Sequence, residues 1–237
     1  MIKPQLYTAV LEDKIIFNEK YSHFFFELKK PIEIYFKAGQ YLSLIIPKYS
    51  QRRLYSFCSS PNIYHGFELL INLEGSGLGR QYLQSLQFGE EINFFGPLGL
   101  FTMDSKNEDE ELIFIGTGSG IAPLRSMILN LLQDKKSKQK MILYWGMRLE
   151  NDYFWLKEFK ELEKNWPNFT FQPIVSQPSE RWNLSRGRVT NFLIAQKFKF
   201  QNRFFICGNL NMISETQKIL LKQKIQLEKI HFEKFQF

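Results

Sequence analysis

The chain has 237 residues, 44% hydrophobic and 16% aromatic, enough for two ordinary domains with sizeable cores. No apolar run approaches the roughly 20 residues that span a bilayer, the start Met-Ile-Lys-Pro-Gln lacks a signal-peptide pattern, and a cytoplasmic protein without membrane contact is expected. Two cysteines, Cys58 and Cys207, exclude a disulfide framework, a CxxC metal site and an iron-sulfur cluster held by this chain alone, while a net charge of +7 on scattered lysines suits either an ordinary solvated surface or an acidic or phosphorylated partner, rather than nucleic acid.

From residue 1 to about 100 the chain reads as short strands: Gln5 to Leu11, Phe24 to Leu28, Tyr41 to Ile46, Arg53 to Cys58, Phe67 to Leu73 and Glu91 to Phe95. Gly39, Pro47, Pro61, Gly66 and Gly89 punctuate them, so a small antiparallel barrel or sandwich is predicted for residues 1–103. Within it, Arg53 and Tyr55 are two apart on a strand and share a face. An arginine grips phosphate bidentately, and a tyrosine offers a flat ring with a polar tip to a planar ligand. The three histidines, His23, His65 and His231, form no metal-binding spacing, and structural or surface roles are expected for them; no metal site is drawn.

Residues 104–111 carry no apolar side chain and mark an acidic linker. Beyond it strands and helices alternate: strand at Leu112, helix from Pro123 to Gln133, strand Met141 to Trp145, helix Asp152 to Asn165, strand Thr170 to Val175. Helix Val189 to Gln196, strand Arg203 to Cys207, helix Leu210 to Lys224 and strand Lys229 to Phe235 complete the pattern. Such alternation builds right-handed βαβ crossovers around a parallel sheet, here over residues 112–237. The overall class is therefore α/β in two domains, an antiparallel β-barrel followed by a parallel α/β domain.

The run Ile113-Phe-Ile-Gly-Thr-Gly-Ser-Gly-Ile-Ala-Pro123 joins a buried strand to a helix through Gly116, Gly118 and Gly120. A glycine turn and a helix start together suit a phosphate. The spacing is G-x-G-x-G, not the dinucleotide fingerprint, and no Lys-Ser or Lys-Thr follows, so a P-loop is excluded; the glycines alone leave a plain turn as the other reading.

With this turn in place the sequence resembles the ferredoxin-NADP reductase family of flavoproteins. The resemblance rests on Phe36-Lys-Ala-Gly-Gln-Tyr41, Arg53-Leu-Tyr-Ser56, Gly96-Pro-Leu-Gly99, Gly116-Thr-Gly-Ser-Gly-Ile-Ala-Pro123, Tyr144-Trp-Gly-Met-Arg148 and Cys207-Gly208, six motifs in the family's order. It implies an FAD-binding barrel and an NAD(P)-binding domain that pass hydride from nicotinamide to flavin N5. Arg53 would hold the FAD pyrophosphate, Tyr55 would stack on the flavin, and Ser56 would hydrogen-bond near N5, with Leu54, Ile71 and Leu73 as further contacts. Gly77, Leu78, Gly79 and Arg80 occupy the second phosphate loop, where Arg80 replaces the usual Ser or Thr.

In the second domain the resemblance assigns Thr117, Gly118, Gly120, Arg148, Ser176, Gly208 and Met212 to the nicotinamide nucleotide and puts Cys207 beside its reactive carbon. Glu233 would relay a proton with Ser56, and Phe235 would cover the flavin, although the tail runs on through Gln236 and Phe237. Arg186 and Arg188, with Arg181, lean the choice toward NADPH over NADH. The expected acceptor is an acidic carrier, ferredoxin or flavodoxin, or a small molecule, and the chain is expected to act as a monomer. A flavin or ferric reductase, and an electron-transfer subunit of a larger complex, are the alternatives.

Overall fold

The computed structural model describes residues 3–47, 49, 51–103 and 110–234. Its residues divide into two compact units: residues 1–103 with 122–136, and residues 104–121 with 137–237. Among the described residues, no helix is long and apolar enough to cross a membrane.

The first unit is built on β1 (Gln5–Ile16), β2 (Tyr21–Lys30), β3 (Tyr41–Ile46), β4 (Gln51–Ser56), β5 (Gly66–Asn72) and β6 (Glu91–Leu98), with α1 (Leu78–Ser85) between β5 and β6. These strands form one antiparallel sheet in the order β4-β3-β6-β1-β2-β5. A single bridge between Phe57, just past β4, and Leu69 on β5 links the two edges and curls the sheet toward a barrel. The alternation of strand side chains explains the curl: Tyr7, Ala9 and Leu11 on β1 and Ile92 and Phe94 on β6 all turn inward, into a core shared with Phe24, Phe26, Phe57 and Phe67. Burying such rings is worth roughly 1.5–3 kcal/mol each. The predicted strands are all present, and β1, β2 and β6 are longer than expected. Helix α1 was not anticipated, because it starts among glycines; Leu83 anchors it in the barrel core.

The second unit contains β7 (Leu112–Thr117), β8 (Met141–Met147), α3 (Leu156–Asn165), β9 (Phe169–Val175), the short β10 (Ser185–Arg186), α4 (Val189–Ile194), β11 (Arg203–Gly208), α5 (Leu210–Lys222) and β12 (Ile230–Lys234). Helix α2 (Ile121–Leu129), continued by one π-helical turn over Asn130–Asp134, follows β7 in the chain, and its residues from Ala122 group with the first unit. All six strands run parallel in the order β10-β9-β8-β7-β11-β12. Leu112 to Ile115 are fully buried, as an uninterrupted apolar strand with both faces covered requires. Helix α5 buries Met212, Thr216 and Leu220, four residues apart on one face, and its start is capped by the Asn209 side chain, which accepts from the Met212 N–H at 2.8 Å.

The expected linker, residues 104–111, lies mostly outside the described residues. Its end does not behave as a solvated linker: Glu110 is buried and accepts from Lys229 Nζ at 2.5 Å, and Glu111 accepts from Asn202 at 2.9 Å.

Candidate functional site

In the first unit the residues predicted to hold a flavin converge on one patch. Arg53 and Tyr55 share a face of β4, and the start of α1 lies directly against them: a Cβ on Gly79 would sit 2.6 Å from the Tyr55 hydroxyl and 2.7 Å from Arg53 Cγ. Only a glycine lets the helix approach this closely. Burial pushes the Tyr55 phenol up to about 12, against the opposing charges of Arg80 and Arg53, so the ring keeps its proton at neutral pH. The Arg80 guanidinium donates to the Glu74 carbonyl, closing the loop that leads into α1. Arg53 folds along its strand, donating to the Arg52 carbonyl and to Gln51 Oε1, both at 2.8 Å.

Ser56 is buried at the end of β4, paired with Tyr41. Leu54, on the opposite face, is 60% exposed. Gly77 caps α1 with its carbonyl, which accepts from the Arg80 and Gln81 N–H groups, and Leu78 and Leu73 are half-buried. The Ile71 side chain is wholly enclosed in the barrel core.

In the second unit, β7 and β11 lie side by side although far apart in sequence, so the strand order reverses between them and a crevice opens at their carboxyl ends. There Cys207 pairs with Gly116 on one side and Glu233 on the other. The Thr117 hydroxyl is buried without a hydrogen-bond partner, and a Cβ on Gly208, whose φ is +153°, would overlap it. A Cβ on Gly120 would overlap the Cys207 carbonyl. Two side chains have thus been withheld at this turn, one of them directly over an unsatisfied polar atom, which fits a nucleotide seated there. Met212, at the start of α5, closes the far side, its Cε 2.8 Å from that absent Gly208 Cβ.

The Cys207 thiol is pushed well up by complete burial and by the neighbouring charge of Glu233. It is a neutral, uncharged wall of the crevice and not a nucleophile. Trp145, which sequence reading passed over, supports the turn: its indole N–H donates to the Gly118 carbonyl at 3.2 Å, and its ring is clamped by Tyr153, Phe154 and Phe159. The only signal available beforehand was its place next to Gly146 in the Tyr144 to Arg148 motif.

At the carboxyl ends of β8 and β9 lies a cleft of about 670 Å³ lined by Glu150, Asn151, Ser179, Glu180, Arg181 and Trp182. Two cationic side chains near it, Arg186 and Arg148, are occupied. Arg186 donates to the carbonyls of Ser179, Glu180 and Trp182, and Arg148 donates to Gln177 at 2.9 Å. Ser176 is fixed by its N–H on the Met147 carbonyl, and Arg188 precedes α4 on the surface. Glu150 accepts from the Ser179 N–H at 3.0 Å, and bonds from Ser179 hold its carboxyl below the usual range. Phe235 lies outside the described residues.

Residues 8–103 match the family described as the oxidoreductase FAD-binding domain, and residues 114–218 the oxidoreductase NAD-binding domain. The chain is 30% identical over 215 residues to the phenol hydroxylase P5 protein of Acinetobacter pittii, a match covering 88% of this chain and 60% of that one. It is 30% identical over 202 residues to the anthranilate 1,2-dioxygenase electron transfer component of Acinetobacter baylyi, covering 84% and 58%. It therefore spans about three fifths of the length of these relatives. Among solved structures, the cytochrome P450 reductase GcoB of Amycolatopsis superposes with a TM-score of 0.88 at 23% identity, over 98% of this chain and 70% of that one.

Proposed function

The chain belongs to the oxidoreductases that join an FAD-binding domain to an NAD-binding domain, and we propose that it works as the reductase of an electron-transfer pair, oxidising a nicotinamide nucleotide and feeding a separate one-electron acceptor. The observation that carries this reading is the crevice between β7 and β11, where Gly120 and Gly208 withhold side chains around the buried, unpartnered Thr117 hydroxyl. Bound together, FAD and a nicotinamide nucleotide supply hydride exchange and a flavin able to give up its electrons one at a time.

The residues of the chain bind, orient and exclude water. Tyr55 offers its neutral ring to the flavin plane, and Arg53 and Arg80 meet its phosphates by charge. Ser56 presents its hydroxyl at the end of β4 near the flavin's reactive edge. In the second unit Thr117 offers a ligand a hydroxyl that has no partner within the chain, the uncharged Cys207 wall keeps water from the nicotinamide, and Glu233 sets a carboxylate beside it across the β11–β12 pair.

Of the two nucleotides, the cleft beyond β8 and β9 favours NADH. A 2'-phosphate requires uncommitted cations; Arg186 and Arg148 are spent on the loop itself, which leaves Arg181 as the cleft's lining cation, and the ionised Glu150 beside it suits a free ribose hydroxyl. This departs from the preference for NADPH that the arginine-rich sequence suggests. The acceptor fits an acidic carrier, since the chain is basic overall, and the likeness to the electron transfer component of the Acinetobacter baylyi dioxygenase makes an oxygenase system its natural destination.

Anaerobic stopped-flow mixing of the purified, desalted protein with NADH and then NADPH tests the reading. Bound flavin that bleaches faster with NADH is the expected result. Faster bleaching with NADPH would overturn the nucleotide assignment. A colourless protein that consumes nucleotide only after free flavin is added would make it a flavin reductase.

A further inference from the structure

Away from the crevice, the barrel brings together three side chains of metal-ligating type from three separate segments. His23 lies on β2, Glu68 on β5, and Cys58 just past β4 at the seam where the bridge from Phe57 to Leu69 curls the sheet. The Cys58 N–H bonds the Glu68 carbonyl at 3.0 Å, which fixes the two segments in register. Cys58 Sγ lies 3.6 Å from His23 Nε2, and the same Nε2 lies 3.1 Å from Glu68 Oε2. All three donor atoms fall within 4.8 Å of one another.

We propose that His23, Cys58 and Glu68 form a binding site for a zinc-class divalent cation. The convergence of sulfur and carboxylate on one ring nitrogen is the central point. A proton relay runs through an imidazole, using one nitrogen for each neighbour; here both neighbours face Nε2, so the three donors point at a common position. A tetrahedral ion with bonds of about 2.0–2.3 Å separates its ligand atoms by roughly 3.3–3.7 Å, close to the distances observed. A thiolate in the set selects zinc over calcium or magnesium.

The surroundings suit a structural ion. His23 is 4% and Cys58 0% exposed, and the His23 ring is held between Phe17 and Phe25. Arg125 supplies the outer support that metal ligands require: its Nη1 donates to Glu68 Oε2 at 2.8 Å and to the Cys58 carbonyl at 2.7 Å, orienting the carboxylate and the cysteine segment together. Burial drives the Glu68 carboxyl upward, but the His23 hydrogen bond and the Arg125 charge outweigh it and keep the group ionised.

Thiolate, carboxylate and guanidinium sum to one negative charge, and a divalent ion brings the buried cluster to one positive. Binding forms the sulfur–metal bond at the expense of the S–H bond, whose proton leaves to solvent, and a neutral His23 ligates through Nε2 with its proton on Nδ1. Three protein ligands leave a fourth position for water. The spacing of 23, 58 and 68 resembles no sequence motif, because the site is assembled by strand pairing and not by local turns.

The test is metal analysis of the full-length, flavin-loaded protein, stripped with chelator, incubated with zinc and dialysed against metal-free buffer. One zinc per chain is expected. Titration with cadmium is expected to raise an ultraviolet thiolate–cadmium band that saturates at one equivalent, persists in Cys207→Ser and vanishes in Cys58→Ser. Arg125→Lys is expected to keep the stoichiometry while weakening zinc binding about 10-fold or more. Wild-type protein that retains no zinc, or a cadmium band that follows Cys207, would overturn the site; the first of these needs no variant to fold.

Discussion

At the scale of single residues, the two units assign their side chains by opposite means. Tyr55 is placed by what touches it, the start of α1 at Gly79 and the charges of Arg53 and Arg80, whereas Thr117 is marked by what is missing around it. Tyr55→Ala removes a stacking plane and is expected to weaken flavin retention about tenfold, read as flavin-to-protein ratio after gel filtration; an unchanged ratio would show that the ring does not face the flavin. Cys207 makes a pH prediction. Its raised pKa means that the folded protein holds the thiol proton more tightly than the unfolded chain does, so the stability it lends is complete below the ordinary thiol value of about 8.5 and is lost as pH rises above it. Alkylation of Cys207 by iodoacetamide, followed by peptide mass spectrometry, is accordingly expected to stay flat between about pH 7 and about pH 9, where a free thiol accelerates.

Single elements were the most legible part of the sequence. An uninterrupted apolar run announced β7, and short runs punctuated by glycine and proline announced the barrel strands. What escaped were elements whose reason lies elsewhere in the fold: α1, which exists because Leu83 reaches the barrel core, and β10, two residues long and held by pairing with β9 and by the Trp182 indole on the Ser185 carbonyl. The same holds for the glycine turn. Its glycines are visible in sequence, but its support comes from β8, where the Trp145 indole holds the Gly118 carbonyl. Trp145→Phe keeps most of the ring packing and loses that hydrogen bond, so an increase in nucleotide Kd of about fivefold is expected, equivalent to about 1 kcal/mol, with flavin content unaltered. A titration that shows equal affinity would move the support of the turn to other groups.

For the whole molecule, the two-domain order and the family were readable from six short motifs, because both depend on local turns and strand ends that stay adjacent in sequence. The cation site was not, since His23, Cys58 and Glu68 meet only through the order of strands in the sheet. The division into units was only partly readable for the same reason: residues 122–136 follow the first strand of the parallel sheet in the chain yet group with the barrel. Arg125 lies in that stretch, and its guanidinium answers the buried carboxylate of Glu68. A gene cut after residue 103, the position that the sequence recommends, would therefore yield a barrel whose Glu68 has lost its guanidinium partner, a defect on the order of 3 kcal/mol. Exchange of whole domains between reductases of this kind then has a grammar of its own, in which the barrel travels with a helix encoded inside its neighbour.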